Sequence, residues 1–158
     1  MSQSGIPAVA GPLAATDLLD LAAALVAVPS VSFEERPLAD LLETELRAIP
    51  ALEVTRVGDN LVGRTTLGLP ARLVLAGHTD TVPPQGNDEA TVEGDRLFGL
   101  GASDMKGALA VLVQLARTLR DPTMDVSFVF YAREEVAAAH SGLEELFQSR
   151  PDLLAGDR

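Results

Sequence analysis

Three small groups of acidic and imidazole side chains carry the chemistry this sequence could do: His78 with Asp80, then Asp104, then Glu134 with Glu135. The first follows the apolar run Leu73-Val74-Leu75-Ala76, which has the length and composition of a buried strand, and precedes a Pro83-Pro84 break. A histidine therefore stands where a strand runs out. Side chains two apart on a strand share a side, so His78 and Asp80 act together if extended geometry lasts through Asp80. An imidazole whose second nitrogen meets a carboxylate is the arrangement of a metal ligand, and equally that of a partly buried histidine pinned by its neighbour. Asp104, after Gly99-Leu100-Gly101, suits either a helix N-cap or a ligand. The same glycines with Lys106-Gly107 lack the spacing of a phosphate loop. Glu134 and Glu135 close a second strand-like run, Asp125 to Tyr131, where adjacent carboxylates repel unless a cation or a proton relieves them. His140, in an alanine-rich loop, reads as a solvated histidine.

Composition restricts which cofactors such groups can hold. The chain has 158 residues and no cysteine, so a thiol nucleophile, a disulfide frame and a cysteine-bound zinc are excluded, and a transition metal would have to use histidine and carboxylates. A formal net charge of -11 argues against nucleic acid and anionic membrane as partners, because phosphates need clustered Lys and Arg. The first residues carry no basic segment before an apolar core, and no run reaches about 18 apolar residues. A cytoplasmic location is the expectation.

The elements that must position these groups follow from periodicity. Residues 1–13 are small, aperiodic and rich in Gly and Pro, and read as a flexible tail. From Thr16 or Asp17 as N-cap, Leu18, Leu21, Ala22, Leu25 and Val28 recur at helical spacing until Pro29. A second helix carries Leu38, Leu41, Leu42, Leu46 and Ile49, with Ser32-x-x-Glu35 resembling a capping box and Glu34, Glu35, Glu43 and Glu45 read as solvated or end-capping. Leu52–Val57 and Leu61–Thr66 around Gly58-Asp59-Asn60 read as a hairpin. A loop over 85–90, a short extended piece over 95–98, a third helix ending near Arg120 and a fourth over 142–148 complete the pattern. Hairpin, strand, helix, strand, helix predicts an α/β domain with a mixed, partly parallel sheet flanked by helices. Active groups in such sheets collect at the carboxyl ends of strands, which puts all three groups on one edge.

Gly77-His78-Thr79-Asp80-Thr81-Val82-Pro83, Gly99-Leu100-Gly101-Ala102-Ser103-Asp104-Met105-Lys106-Gly107 and Glu134-Glu135 resemble three successive motifs of the di-zinc aminoacylase and carboxypeptidase family, in the same order and with similar separations. The likeness runs from about Thr16 to Asp157, and within the family it is strongest to the desuccinylase branch. The resemblance implies a zinc-peptidase-like catalytic domain and hydrolysis of the amide bond of a small N-acyl amino acid. It implies two Zn2+ or Co2+ ions, with His78, Asp104 and Glu135 as metal ligands and Asp104 bridging both, followed by a cis peptide. Asp80 would hold the His78 ring and Glu134 would be the general base. Family members are considerably longer, which makes residues 14–158 the N-terminal part of a catalytic domain without the lid and dimerisation domain. A further carboxylate ligand, a second histidine ligand and homodimer contacts would lie in the remainder. Ala108 departs from the pattern, standing where many relatives have glycine.

Overall fold

The computed structural model of the protein describes residues 13, 15 and 17–155, so the tail expected over residues 1–13 falls, apart from Leu13, outside the described residues. Strand β6 (Asp125–Tyr131) sets the architecture, because it is buried on both faces until its last residue. Its side chains alternate as a strand requires. Phe128 and Phe130 join a core with Leu21, Leu25, Leu38, Leu42, Leu46, Leu109 and Val113, whereas Val129 joins Val62, Leu146 and Leu153 on the opposite side. The first core belongs to helices α1 (Leu18–Val26), α2 (Arg36–Arg47) and α3 (Gly107–Thr118), and the second to α4 (Gly142–Ser149) and α5 (Pro151–Leu154). Helices thus cover both faces of one sheet.

The sheet is mixed, as the element order predicts. Strands β1 (Glu53–Val57) and β2 (Asn60–Arg64) form the expected hairpin, β2 pairs antiparallel with β6, and β3 (Arg72–His78) pairs parallel with β6. The order is β1-β2-β6-β3. This corrects the reading of residues 73–76 as a buried strand: β3 lies at the sheet's end, with Leu73 43% and Val74 38% exposed. An unbroken apolar run is what a strand covered on both faces shows, but hydrophobicity carries no information on where in the order a strand lies. Strands β4 (Thr91–Glu93) and β5 (Arg96–Phe98) pair as a separate exposed hairpin, of which only the second strand shows in the sequence pattern.

Helix α1 starts as expected, with Asp17 Oδ1 accepting the Leu19 N–H at 2.8 Å. Helix α2 does not: Glu35 makes no side-chain cap bond, and Pro37 occupies the first turn, where its missing N–H costs little. Nor are all its glutamates solvated. Glu35 and Glu45 are fully buried, Glu45 because Arg117, from the last turn of α3, donates to it at 2.7 Å and ties the two helices together.

At the N-terminal end of β6, buried Asp125 accepts from Thr65 Oγ1 at 2.6 Å and from the Leu67 and Leu69 N–H groups at 2.9 Å each. These bonds, that of Thr65 foremost, hold its carboxyl down at about 2. A carboxyl lowered on folding stabilises the native state above its unfolded pKa, and that contribution is lost as pH falls through the folded value. The expected result is that Asp125→Asn is less stable than the unaltered chain near about pH 7 and that the difference closes between about pH 4 and pH 2, read by urea unfolding.

Candidate metal centre

The segment after β3 stays extended because a second segment runs beside it. Thr81 N–H donates to Ser30 O at 2.9 Å, Ser32 N–H to Thr81 O at 3.1 Å, and Ser30 Oγ to Thr79 O at 2.7 Å. On the other side Thr79 N–H donates to Tyr131 O, 2.8 Å away. His78 and Asp80 therefore do share a side. The imidazole Nδ1 lies 3.1 Å from the Asp80 carbonyl and 3.4 Å from Asp80 Oδ1. Its Nε2 faces Asp104 Oδ1 at 2.9 Å.

Asp104 reaches this point because the chain does not enter α3 directly. Residues Ala102–Lys106 form a wide turn in which Asp104 (φ -133, ψ 94) is not helical, and the Asp104–Met105 peptide is cis. Asp104 is therefore not the N-cap of α3, which begins three residues on, and its carboxylate is left to face His78. Gly101 opens the turn at φ 78, where a Cβ would stand 2.8 Å from Thr81 Cγ2, so both conformation and space call for glycine. Lys106 closes the turn, fully buried, with Nζ donating to Val28 O at the end of α1. Burial holds that ammonium down at about 8. Ala108, in the first turn of α3, is exposed, so its methyl group points away from the core.

Glu134 and Glu135 lie beyond the end of β6, on a segment bound through its backbone. Asp80 Oδ1 accepts the Glu134 N–H at 2.9 Å and Oδ2 the Glu135 N–H at 3.0 Å. Ser32 Oγ donates to the same Oδ2 at 2.7 Å. One buried carboxylate thereby orients an imidazole and two neighbouring glutamates together. Burial would raise the Asp80 carboxyl, but His78, Ser32 and the two amides together hold it well below the usual range. Burial likewise opposes charge on His78, yet the bonds to Asp80 and Asp104 outweigh it and bring the imidazole up to about 9. Glu135 is pushed up by burial and then by the charges of Asp104, Glu134 and Asp80.

One donor atom each from His78, Asp104 and Glu135 lies within 4.8 Å of the other two. An imidazole and two carboxylates, backed by Asp80, suit a divalent cation such as zinc, which would relieve the crowding of negative charge that raises Glu135. The group faces an open cleft of about 510 Å³ between Thr81, the Leu97–Asp104 loop and Glu135. Of the five residues singled out from the sequence, His78, Asp104 and Glu135 bring donor atoms together, Asp80 joins them through the His78 ring, and Glu134 is tied to Asp80 by its backbone N–H. His140 does not join them; it is exposed and its ring lies 5.7 Å from that of Phe33. Two contributors were misread: Ser32 and Glu35 look like a local capping box, yet they bond to Asp80 and to Arg133 N–H, 48 and 98 residues away. No local pattern could have shown those partners.

A buried node supports the glutamate segment from below. Asn60 Oδ1 accepts the Ala132 N–H at 2.9 Å, its Nδ2 donates to Val57 O and Glu145, and the first residue of α4, Gly142, donates to Ala132 O at 2.8 Å. A Cβ on Gly142 would stand 2.0 Å from Asn60 Oδ1 and 2.6 Å from Ala132 O. The expected cost of Gly142→Ala is about 3 kcal/mol of unfolding free energy, measured by urea denaturation, and an unaltered midpoint would contradict this packing.

Parallel and antiparallel strands under two helical layers, with an imidazole and carboxylates gathered at their ends, define an α/β domain able to hold a divalent cation at one edge of its sheet. The model of peptidase family M20/M25/M40 matches residues 74–156, and the chain belongs to that family. It is 44% identical over 142 residues to a Mycobacterium tuberculosis protein provisionally named succinyl-diaminopimelate desuccinylase, covering 89% of this chain and 40% of that one. It is 39% identical over 146 residues to the succinyl-diaminopimelate desuccinylase of Corynebacterium glutamicum, with the same two coverages of 89% and 40%. Among solved structures, the M20 family metallo-carboxypeptidase Sso-CP2 of Sulfolobus solfataricus superposes with a TM-score of 0.74 at 19% identity, over 90% of this chain and 36% of that one. The chain thus spans about two fifths of the length of these curated relatives.

Proposed function

We propose that this chain is the metal-binding part of a succinyl-diaminopimelate desuccinylase, hydrolysing N-succinyl-LL-diaminopimelate to succinate and LL-diaminopimelate. The observation that carries this reading is the convergence of His78, Asp104 and Glu135 within 4.8 Å, with Glu134 beside them in the chain. The identity to two relatives bearing that name supports the substrate.

His78, Asp104 and Glu135 would hold zinc, or cobalt in its place. Bound metal supplies Lewis-acid polarisation of an amide carbonyl and acidification of water. The remaining work falls to the protein. Asp80 fixes the His78 ring and the backbone of both glutamates. Glu134, exposed and next to a ligand, takes a proton from the attacking water and returns it to the nitrogen as the C–N bond breaks. Water adds its oxygen to the acyl carbon, and the amine leaves with the proton. Residues 14–158 would then be one part of a cytoplasmic, homodimeric enzyme whose remaining length completes the ligands and the substrate pocket.

The test is succinate and acetate release from N-succinyl-LL-diaminopimelate and N-acetylornithine by the native polypeptide, whose intact mass is first compared with 16.6 kDa. Zinc- or cobalt-dependent succinate release supports the proposal. A preference for N-acetylornithine moves the assignment to a deacetylase of the same chemistry, and a native form that hydrolyses neither overturns it. A second reading, an inactive fragment with weak metal binding or an interaction role, is favoured by Leu73 and Val74 exposed on strand β3. It requires a native mass of 16.6 kDa and self-association of the isolated chain.

A further inference from the structure

Three consecutive amides end on carboxylate oxygens. The Glu134 and Glu135 N–H groups donate to Asp80, and the Arg133 N–H donates to Glu35 Oε1 at 3.1 Å. Arg133 itself has φ 60, a left-handed conformation that L side chains disfavour. Its side chain is held elsewhere, by the His140 carbonyl and by Glu145. Glu35 is fully buried, gives α2 no side-chain cap, and leaves Oε2 without a side-chain or backbone hydrogen bond of good geometry among the described residues. A buried carboxyl is costly, and the backbone amides of Glu35 itself and of Phe33 favour its charge beside that of Arg133. Of these three, only the Arg133 N–H, which Oε1 accepts, belongs to a distant segment, at the residue where the chain turns towards Glu134.

We infer that Glu35 is a positioning residue for the Glu134–Glu135 segment, fixing the left-handed turn at Arg133 so that Asp80 can hold the two amides that follow. Asp80 determines where these glutamates are anchored, and Glu35 determines the direction from which the chain arrives. The inference rests on the proposed role of Glu135 as a ligand only for its effect on metal binding; its effect on the backbone stands apart.

The test compares Glu35→Met, which keeps the volume but cannot accept through oxygen, with Glu35→Gln, which can. Both are made in the 158-residue chain, and three quantities are read: amide hydrogen exchange at 133–135, zinc affinity by calorimetry, and the urea unfolding midpoint. In Glu35→Met the three amides are expected to exchange about tenfold faster and zinc to bind about tenfold more weakly, the scale of losing an outer-shell support, while the midpoint moves little. Glu35→Gln is expected to stay within about threefold of the unaltered chain in both. Unaltered exchange and affinity in Glu35→Met would overturn the inference, and so would a glutamine variant as impaired as the methionine one. Should Glu35→Met fail to fold, Glu35→Gln decides: unaltered exchange supports the role, and faster exchange at unaltered stability refutes it. If the unaltered chain binds no zinc, the metal reading fails, and the exchange comparison still judges Glu35.

Discussion

Asp104→Ala is expected to bind zinc at least about a hundredfold more weakly than the unaltered chain, the upper end of what even outer-shell changes cost, while unfolding at nearly the same urea concentration. The separation of these two effects follows from the site. The Asp104 carboxylate is 75% exposed and stands on a turn whose shape comes from Gly101 and Lys106, so its removal opens no cavity, and the His78 ring that it faces stays held by Asp80 through Nδ1. What it removes is the donor facing His78 Nε2 at 2.9 Å. His78→Ala would give a less clean result, because that ring is buried, so its loss opens a cavity and removes one of the groups that hold Asp80. Competition with a chromophoric chelator measures the affinity. Binding by Asp104→Ala within a few fold of the unaltered chain would mean that zinc, if held, is held elsewhere.

What could be read in advance divides along a physical line. Strand β6, the β1–β2 hairpin and the main helices were legible because their signals are local: alternation of apolar residues, a Gly58-Asp59-Asn60 turn, apolar stripes at helical spacing. The site was legible for a related reason, since each of its groups closes a strand or follows a glycine turn, and a mixed sheet brings those ends to one edge. Glu35 and Glu45 were misread because the residues that neutralise or engage them, Arg133 and Arg117, are contributed by the far half of the chain. Strand β3 has the composition of a covered strand, and only the order β1-β2-β6-β3 shows it at an end. The wide turn at 102–106 is of the same kind: Asp104 looks like a helix cap until the register of α3 is known, and that register is fixed by Leu109 and Val113 packing in the core.

The neighbouring glutamates should respond to the same substitution in opposite ways. Glu135 contributes a donor atom to the cluster and Glu134 does not, although Asp80 holds the backbone N–H of each at nearly equal distance, 2.9 and 3.0 Å. Removing charge from Glu134 therefore leaves the candidate metal donors in place and takes away the proposed proton acceptor. In the polypeptide that hydrolyses the substrate, Glu134→Gln is expected to lower kcat about a thousandfold, the middle of the range for general acid–base groups, with KM and zinc affinity within about threefold. Glu135→Gln should lower zinc affinity first and turnover as a consequence, so that added zinc recovers part of its activity and none of that lost in Glu134→Gln. Backbone anchoring makes the comparison sharp, since neither substitution touches the amides that Asp80 binds. If zinc restored Glu134→Gln, or if Glu134→Gln turned over at the unaltered rate, the division of labour between the pair would be wrong, and the base would have to be sought among the groups that line the cleft between Thr81 and the Leu97–Asp104 loop.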